Sequence, residues 1–230
     1  MFDYSSTGPF FIKPSQQGVN DFDALIDRDY QVLISKWLQE GWDIFRQNAG
    51  TAIAFAVVAG ICFLVANAVP FVGLLVTYPV LAGFIIMALL VFQDRTAGFN
   101  TYLWGFRHFL PLLMFSIVST VFMAVGFMLL VVPGVYLSVA YLFAPYLIVE
   151  KNIDFWPAME ISRKKVNRHF VGLLGFAVII ILINLVGCIP LFFGLFVTVP
   201  LTVCMTTAAY RDIFMEVGAD TGTTMPMAQM

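Results

Sequence analysis

The residues best suited to chemistry in this chain are arginines and histidines that recur at a fixed spacing. Arg46, Arg107 and Arg168 lie 61 residues apart, and a histidine follows two of them, as His108 and His169. A guanidinium binds phosphate through paired hydrogen bonds, and basic residues between membrane spans bind anionic headgroups. The spacing therefore predicts lipid-phosphate sites at these five residues, with simple anchoring of each span at the membrane surface as the alternative.

Catalysis and cofactor binding have little support in the sequence. The chain has two histidines and three cysteines, and every cysteine lies within an apolar run. A nucleophile and its base must be within hydrogen-bond reach of each other, and these residues offer few such pairs. Four aspartates over 21–29 lack the glycine and the terminal glutamate of an EF-hand loop. We therefore expect a protein that is not an enzyme, with no catalytic residue, no cofactor and no metal site.

The composition is typical of a membrane protein. Hydrophobic residues make up 60% of the chain and charged residues 11%, and the mean hydropathy is +0.90. Soluble domains average about 45–50% apolar and about 25% charged residues. The stretches 47–93, 109–149 and 170–210 contain no Asp, Glu, Lys, Arg or His. Because a spanning helix needs roughly 20 apolar residues, each stretch has room for two helices.

The sequence therefore predicts an all-α polytopic membrane fold of six transmembrane helices in three hairpins, with an amphipathic elbow helix before each hairpin. All Lys and Arg residues fall before the first span, between hairpins or after the last span. The positive-inside rule then places both termini in the cytoplasm. The expected spans are 49–68, 72–92, 109–131, 134–149, 170–188 and 191–210. The expected domains are a flexible arm (1–23), a six-span membrane domain (24–212) and a flexible tail (213–230).

Similar segments recur along the chain and indicate three repeats of one unit, at about 24–95, 96–151 and 152–212. "GLLVTYP" at 73–79 and "GLFVTVP" at 194–200 agree at five of seven positions. "RHFLPLL" and "RHFVGLL", which begin at Arg107 and Arg168, agree equally well. Internal repeats are common in multi-pass folds. The middle unit departs from the pattern with "GVYLSVAYLFAP", and we expect any ligand specialisation there.

Each even-numbered span contains a proline, which removes one helical hydrogen bond and frees a carbonyl. In hydrocarbon that carbonyl needs another partner, and the hydroxyls of Thr77 and Thr198 are near enough in sequence to serve. One interpretation is a static kink that lets the hairpins splay around one axis. The other is a pair of broken helices that lines a ligand cavity. The candidate kink and cavity residues are Pro79, Tyr141, Pro145 and Pro200.

The elbow segments are amphipathic. From about Phe22 or Ala24 to Gln47, apolar residues share one helical face, which predicts a helix lying in the membrane interface. The alternative is a helix packed on the protein itself. The basic run 163–165 in the last elbow is expected to strengthen attraction to anionic lipid.

The stretch 132–176 resembles a group of uncharacterised bacterial and archaeal six-span membrane proteins. It is similar to the membrane domain that accompanies glycerophosphodiester phosphodiesterases, although the soluble catalytic domain is absent from this chain. The resemblance implies a fold, a place in the bacterial inner (plasma) membrane and a link to lipid metabolism. The residues that carry it are Pro133, Gly134, Pro145, Trp156, Ala158 and Ser162.

These observations predict a non-catalytic membrane module that engages lipids or partner proteins. The expected partners are membrane lipids, with other membrane proteins or a second copy of the chain as further partners. The net charge of −2 gives no reason to expect nucleic acid. The alternative is a small transporter or channel whose path is lined by the proline-broken spans. No ionisable residue lies at membrane depth, which counts against ion coupling.

Overall fold

The computed structural model describes residues 30–66, 72–93, 98–190 and 193–214, with residues 65–66, 72–76, 99 and 107 described by their backbone alone. The expected arm and nearly all of the expected tail lie outside the described residues. Every regular element within these ranges is a helix, as predicted. The helices are α1 (Ile34–Gln47), α2 (Ala49–Ala66), α3 (Val72–Val91), α4 (Phe99–Leu103) followed by a 3-10 turn (Trp104–His108), α5 (Phe109–Leu129), α6 (Val131–Ala140), α7 (Ala144–Lys151), α8 (Phe155–Arg168), α9 (Phe170–Cys188) and α10 (Leu195–Phe214).

Three stretches in the described part of the chain are long and apolar enough to cross a membrane. They are Phe109–Leu129, Val131–Lys151, which joins α6 and α7, and Phe170–Cys188. A fourth is counted if α1 and α2, which are bent by 86° relative to each other, form one broken span. α10 is not among them because its second half carries threonines and the charged pair Arg211-Asp212. Six spans were expected, and the described residues contain three or four that meet the criteria.

The apolar helices expose their side chains to the surroundings. The most apolar 18-residue stretch of α9 has a mean hydropathy of 2.7, yet only 17% of that stretch is buried inside the protein. α5 has a mean hydropathy of 2.3 with 28% of its window buried. Soluble monomers rarely expose contiguous apolar patches larger than a few hundred Å². These helices therefore indicate a membrane protein.

The core is built from three buried segments, 82–91, 144–149 and 200–210, each without an exposed or half-exposed residue. Each lies at or just after one of the prolines Pro79, Pro145 and Pro200. The hydroxyl of Tyr146 donates to the carbonyl of Val203 at 3.3 Å, which joins two of the segments directly. The prolines thus lie where each expected even-numbered span passes from its exposed part into the core.

Each elbow packs on a helix of the preceding hairpin, and the order closes on itself. α1, which precedes the first hairpin, packs on α10 of the third. The elbow at 99–108 packs on α3 of the first hairpin, and α8 packs on α6 and α7 of the second. An elbow therefore bridges each boundary between the expected hairpins.

α1 differs from the helix that the sequence predicts in its start and in its surroundings. It begins at Ile34 rather than near Phe22 or Ala24, because residues 30–33 are not helical and residues 22–29 lie outside the described part. Its apolar face is buried, with Trp37 fully covered, and a Cβ on Gly41 would lie 2.4 Å from the Cα of Met205. The interfacial interpretation gives way to packing on the protein, since α10 covers the face expected to meet lipid.

The fourth expected span is broken between α6 and α7. Over 141–143 the helix tightens into turns, and the amide of Ala144 donates to the carbonyl of Tyr141 at 3.2 Å. The hydroxyl of Ser162 on α8 donates to the carbonyl of Ala140 at 2.7 Å and accepts from the amide of Phe143 at 3.3 Å. A side chain from the elbow thus satisfies the backbone groups that the break releases.

Candidate functional site

The clearest candidate site is a cavity of about 710 Å³ between α2, α3 and α10. This volume lies within the range of roughly 300–1,000 Å³ typical of small-molecule sites. The walls carry one hydroxyl, that of Thr77, and no ionisable side chain. The lining residues are Ala56, Ala59, Gly60, Phe63, Leu64, Thr77, Val80, Leu81, Phe84, Phe193, Leu195, Phe196 and Val199.

The two similar heptapeptides, 73–79 and 194–200, both contribute residues to the lining of this cavity. Thr77 comes from the first, and Leu195, Phe196 and Val199 come from the second. The heptapeptides are far apart in sequence, and the fold brings them together because α10 packs against both α2 and α3. Their similarity therefore has a spatial consequence that the sequence does not reveal.

Glycines allow the paired helices of the second and third expected hairpins to approach closely. In the second hairpin, a Cβ on Gly126 would lie 3.1 Å from the Cα of Gly134. In the third, a Cβ on Gly194 would lie 2.5 Å from the carbonyl oxygen of Gly187. These helices approach closely because neither carries a side chain at the contact.

The predicted kink residues do not line this cavity. Pro79, Tyr141, Pro145 and Pro200 are all buried, and none belongs to the lining. Tyr141 lies in the break of the middle hairpin, where its ring is covered by neighbouring groups. The expectation of ligand specialisation in the middle unit is not supported, because the cavity lies between the first and third hairpins.

The threonine expected to support the kink of α10 has another environment. The Thr198 hydroxyl is buried and has no hydrogen-bond partner among the described residues, and a Cβ on Gly187 would lie 2.4 Å from its oxygen. The hydroxyl of Thr202 donates to the carbonyl of Val199 at 2.9 Å and accepts from the Asn184 amide at 3.2 Å. The threonine near Pro200 whose hydroxyl donates to a backbone carbonyl is therefore Thr202, one helical turn after Thr198.

The arginines and histidines with the recurring spacing all lie where an elbow meets the next helix. Arg46 and Arg168 are exposed, whereas the side chain of Arg107 lies outside the described residues. His108 is buried, and His169 is half-buried with its ring 4.7 Å from that of Tyr30 in an edge-to-face arrangement. The two histidines therefore do not share one environment.

The basic run in α8 does not present three free charges to a lipid surface. Lys165 is fully buried, with its Nζ 5.5 Å from the centre of the Tyr30 ring and 5.9 Å from that of Phe214. Glu160 binds Arg163 at 2.8 Å and Lys164 at 3.5 Å, and this pairing with Arg163 holds the pKa of the Glu160 carboxyl below its ordinary value. The expectation of added lipid attraction is wrong for Lys165, since its side chain is buried in the core and does not face a lipid surface.

Asp212 lies at the end of α10, and the sequence gives no indication of the residues that it contacts. Its carboxylate accepts hydrogen bonds from Lys36 at 2.6 Å and from the indole of Trp37 at 2.9 Å. The bond to Asp212 raises the pKa of the Lys36 ammonium above its ordinary value. The stabilisation from this ion pair is therefore present at neutral pH and is lost only as the pH rises through that raised pKa.

A comparison with protein-family models, with curated proteins and with solved structures finds no match to this chain. The resemblance to the membrane domain of glycerophosphodiester phosphodiesterases therefore stays a prediction. Within the described ranges, no group of three or more His, Cys, Asp and Glu side chains is placed to hold a metal ion. The geometry of the apolar cavity and of the helix exteriors carries the functional argument.

Proposed function

We propose that this chain is a non-catalytic integral membrane protein that engages membrane lipids. The observation that carries the proposal is the exterior of α9, which combines a mean hydropathy of 2.7 with 17% burial of its most apolar window. A surface of this kind needs a hydrocarbon environment. Lipid is therefore the first partner, and the protein offers lipid both an outer surface and an internal cavity.

Six spans in three repeated hairpins are part of this proposal. The cyclic packing of elbows on the preceding hairpins supports it, since repeated units that close around an axis make equivalent contacts at each boundary. α3 and α10 then count as spans whose second halves are buried by protein rather than by lipid. The side that carries Arg46 and Arg168 is the cytoplasmic side of a bacterial inner membrane, with both termini there.

The lipid-phosphate role of the recurring arginines also belongs to the proposal. Arg46 is exposed at the junction of α1 and α2, and Arg168 is exposed at the junction of α8 and α9. A guanidinium at such a junction lies where a headgroup phosphate meets the ends of the spans. Arg107, His108 and His169 complete the proposed set.

Packing along the axis favours lipid engagement over transport through the proline-broken helices. The aromatic rings of Tyr146 and Tyr210 stack with centres 5.3 Å apart, and the hydroxyl of Tyr210 donates to Glu150. Both tyrosines are buried in the segments that follow the prolines. A path along these segments would have to displace their side chains, whereas lipid contact needs no such rearrangement.

Native mass spectrometry of the protein extracted from bacterial membranes tests this function. We expect anionic phospholipid to remain bound, and to be lost when Arg46, Arg107 and Arg168 are all replaced by Gln. The control is Arg163→Gln, which removes a cation that Glu160 already binds and should leave the lipid in place. Lipid retention that is unchanged in the triple variant would refute the phosphate sites.

Membrane integration is tested separately from lipid retention. In a cysteine-free background, a single cysteine at the exposed Gly98 should react with a membrane-impermeant maleimide only when the cytoplasmic side is open. Labelling from the outside of intact cells would overturn the orientation. Release of the protein by alkaline carbonate without detergent would overturn integration itself.

A further inference from the structure

We propose that the cavity between α2, α3 and α10 holds one hydrocarbon chain of a membrane lipid, which enters sideways from the bilayer. The inference rests on the proposed function, since sideways entry requires that the surrounding helices lie in the membrane. It adds a defined internal site to a protein otherwise expected to meet lipid only at its exterior and at its headgroup arginines.

The chemistry of the walls selects a hydrocarbon ligand. Twelve of the thirteen lining residues are apolar side chains or glycine, and Thr77 supplies the one hydroxyl. A polar ligand would leave its own hydrogen-bonding groups unpaired in this space, which costs free energy. A hydrocarbon chain has no hydrogen-bonding groups, so it leaves none unpaired in this space. Phe84 and Phe196 offer broad apolar surfaces against which a flexible chain can lie.

The rim of the cavity indicates the medium from which the ligand comes. Phe63, Leu64 and Phe193 belong to the lining and are nevertheless 46%, 74% and 70% exposed. An opening to water would favour polar residues at such positions, because exposed aromatic and aliphatic side chains there form an apolar patch. These exposed side chains match the outer surface of α9, so the opening faces the same hydrocarbon.

α2 and α10 contact each other at the wall of the cavity, beside its exposed rim. A Cβ on Gly60 would lie 2.5 Å from Cε1 of Phe196, so the two helices meet at this point through a glycine and a movable ring. Phe193 stands one turn away at the exposed rim.

Photo-crosslinking in vesicles tests the site. The protein is reconstituted in phosphatidylcholine that carries a diazirine on one acyl chain, irradiated, and digested for mass spectrometry. We expect adducts in residues 56–64 and 193–199 above the level found on the exposed face of α9. Ala59→Trp fills the cavity and should abolish these adducts. Ala54→Trp, the same change at an exposed position of α2, should leave them.

The outcomes separate this inference from the proposed function. Adducts spread evenly over all exposed apolar faces, and unchanged by Ala59→Trp, would overturn the cavity site while leaving lipid contact intact. An absence of adducts on every helix would contradict both. Leu81→Trp fills the cavity from α3 and guards against a folding defect specific to Ala59→Trp. Adducts that persist at the cavity in both tryptophan variants would also refute the site.

Discussion

Ser162 shows how one hydroxyl can serve a broken helix in a nearly charge-free part of the chain. Its oxygen lies within hydrogen-bond distance of both the Ala140 carbonyl and the Phe143 amide, and the residue is fully buried. The sequence places Ser162 in the resembling stretch 132–176 but gives no indication of its partner. That partner lies on another helix, and only the packing of α8 on α6 and α7 brings the groups together.

Replacement of Ser162 by Ala should destabilise the protein by about 1–3 kcal/mol, because the buried Ala140 carbonyl loses its side-chain donor. Thermal unfolding in detergent, followed by circular dichroism, measures the effect. The matched control is Ser138→Ala, whose hydroxyl donates at 2.9 Å to the Gly134 carbonyl within its own helix. Equal losses in the two variants would mean that Ser162 does not hold the break.

The prolines and the arginines illustrate what single residues can and cannot reveal. Pro145 predicts an interruption in its span, and the break lies directly before it at 141–143, because proline removes a helical donor wherever it lies. The Arg107-His108 and Arg168-His169 pairs look equivalent in sequence, yet the histidines differ in burial. The burial of each histidine depends on how the assembled helices pack around it, which the local sequence does not show.

Elbows are the elements that the sequence predicts least completely. Amphipathic periodicity identifies α1 as a helix with one apolar face, but the same periodicity fits a membrane surface and a protein surface equally well. In the structure the apolar face of α1 packs on α10, and Gly41 allows the backbones of these two helices to approach closely. The elbow at 99–108 uses a similar device, since a Cβ on Gly105 would lie 2.3 Å from the carbonyl oxygen of Pro79.

Gly105→Ala should therefore loosen the docking of this elbow on α3, because backbone atoms of α3 cannot move aside as a flexible side chain can. We expect destabilisation of about 1–3 kcal/mol, the usual cost of overpacking, measured by thermal unfolding in detergent. Gly50→Ala is the control, since nothing lies within 4 Å of its added Cβ. It should be neutral or stabilising, as alanine favours the helix by about 0.5–1 kcal/mol. Destabilisation by Gly50→Ala and none by Gly105→Ala would reverse the argument.

At the scale of the whole molecule, the first elbow packs on the last helix. Asp212 on α10 accepts hydrogen bonds from Lys36 and Trp37 on α1, and the Arg211 guanidinium lies 4.0 Å from the centre of the Phe92 ring after α3. These contacts join the two ends of the membrane domain. They hold the first and third hairpins together, and the apolar cavity lies between those hairpins.

Asp212→Ala should open this closure, because the indole N–H of the fully buried Trp37 loses its acceptor at a cost of about 1–3 kcal/mol. Hydrogen exchange followed by mass spectrometry should show that the substitution speeds amide exchange more in α1 than in α9. Lys36→Met removes only the partly exposed ammonium and should cost about 0–1 kcal/mol. Equal exchange in the two variants would show that the ion pair, rather than the indole bond, anchors α1.

The sequence by itself determined the helical class, the apolar helices, the interruption next to Pro145 and the junctions marked by Arg46, Arg107 and Arg168. These features follow from composition, periodicity and backbone chemistry, which act locally along the chain. Only the tertiary structure decided that α1 packs on α10, that Lys165 is buried and that Ala59, Phe63 and Phe196 line one cavity. An apolar side chain reads the same in sequence whether it meets protein, lipid or empty space, because the hydrophobic effect has no direction.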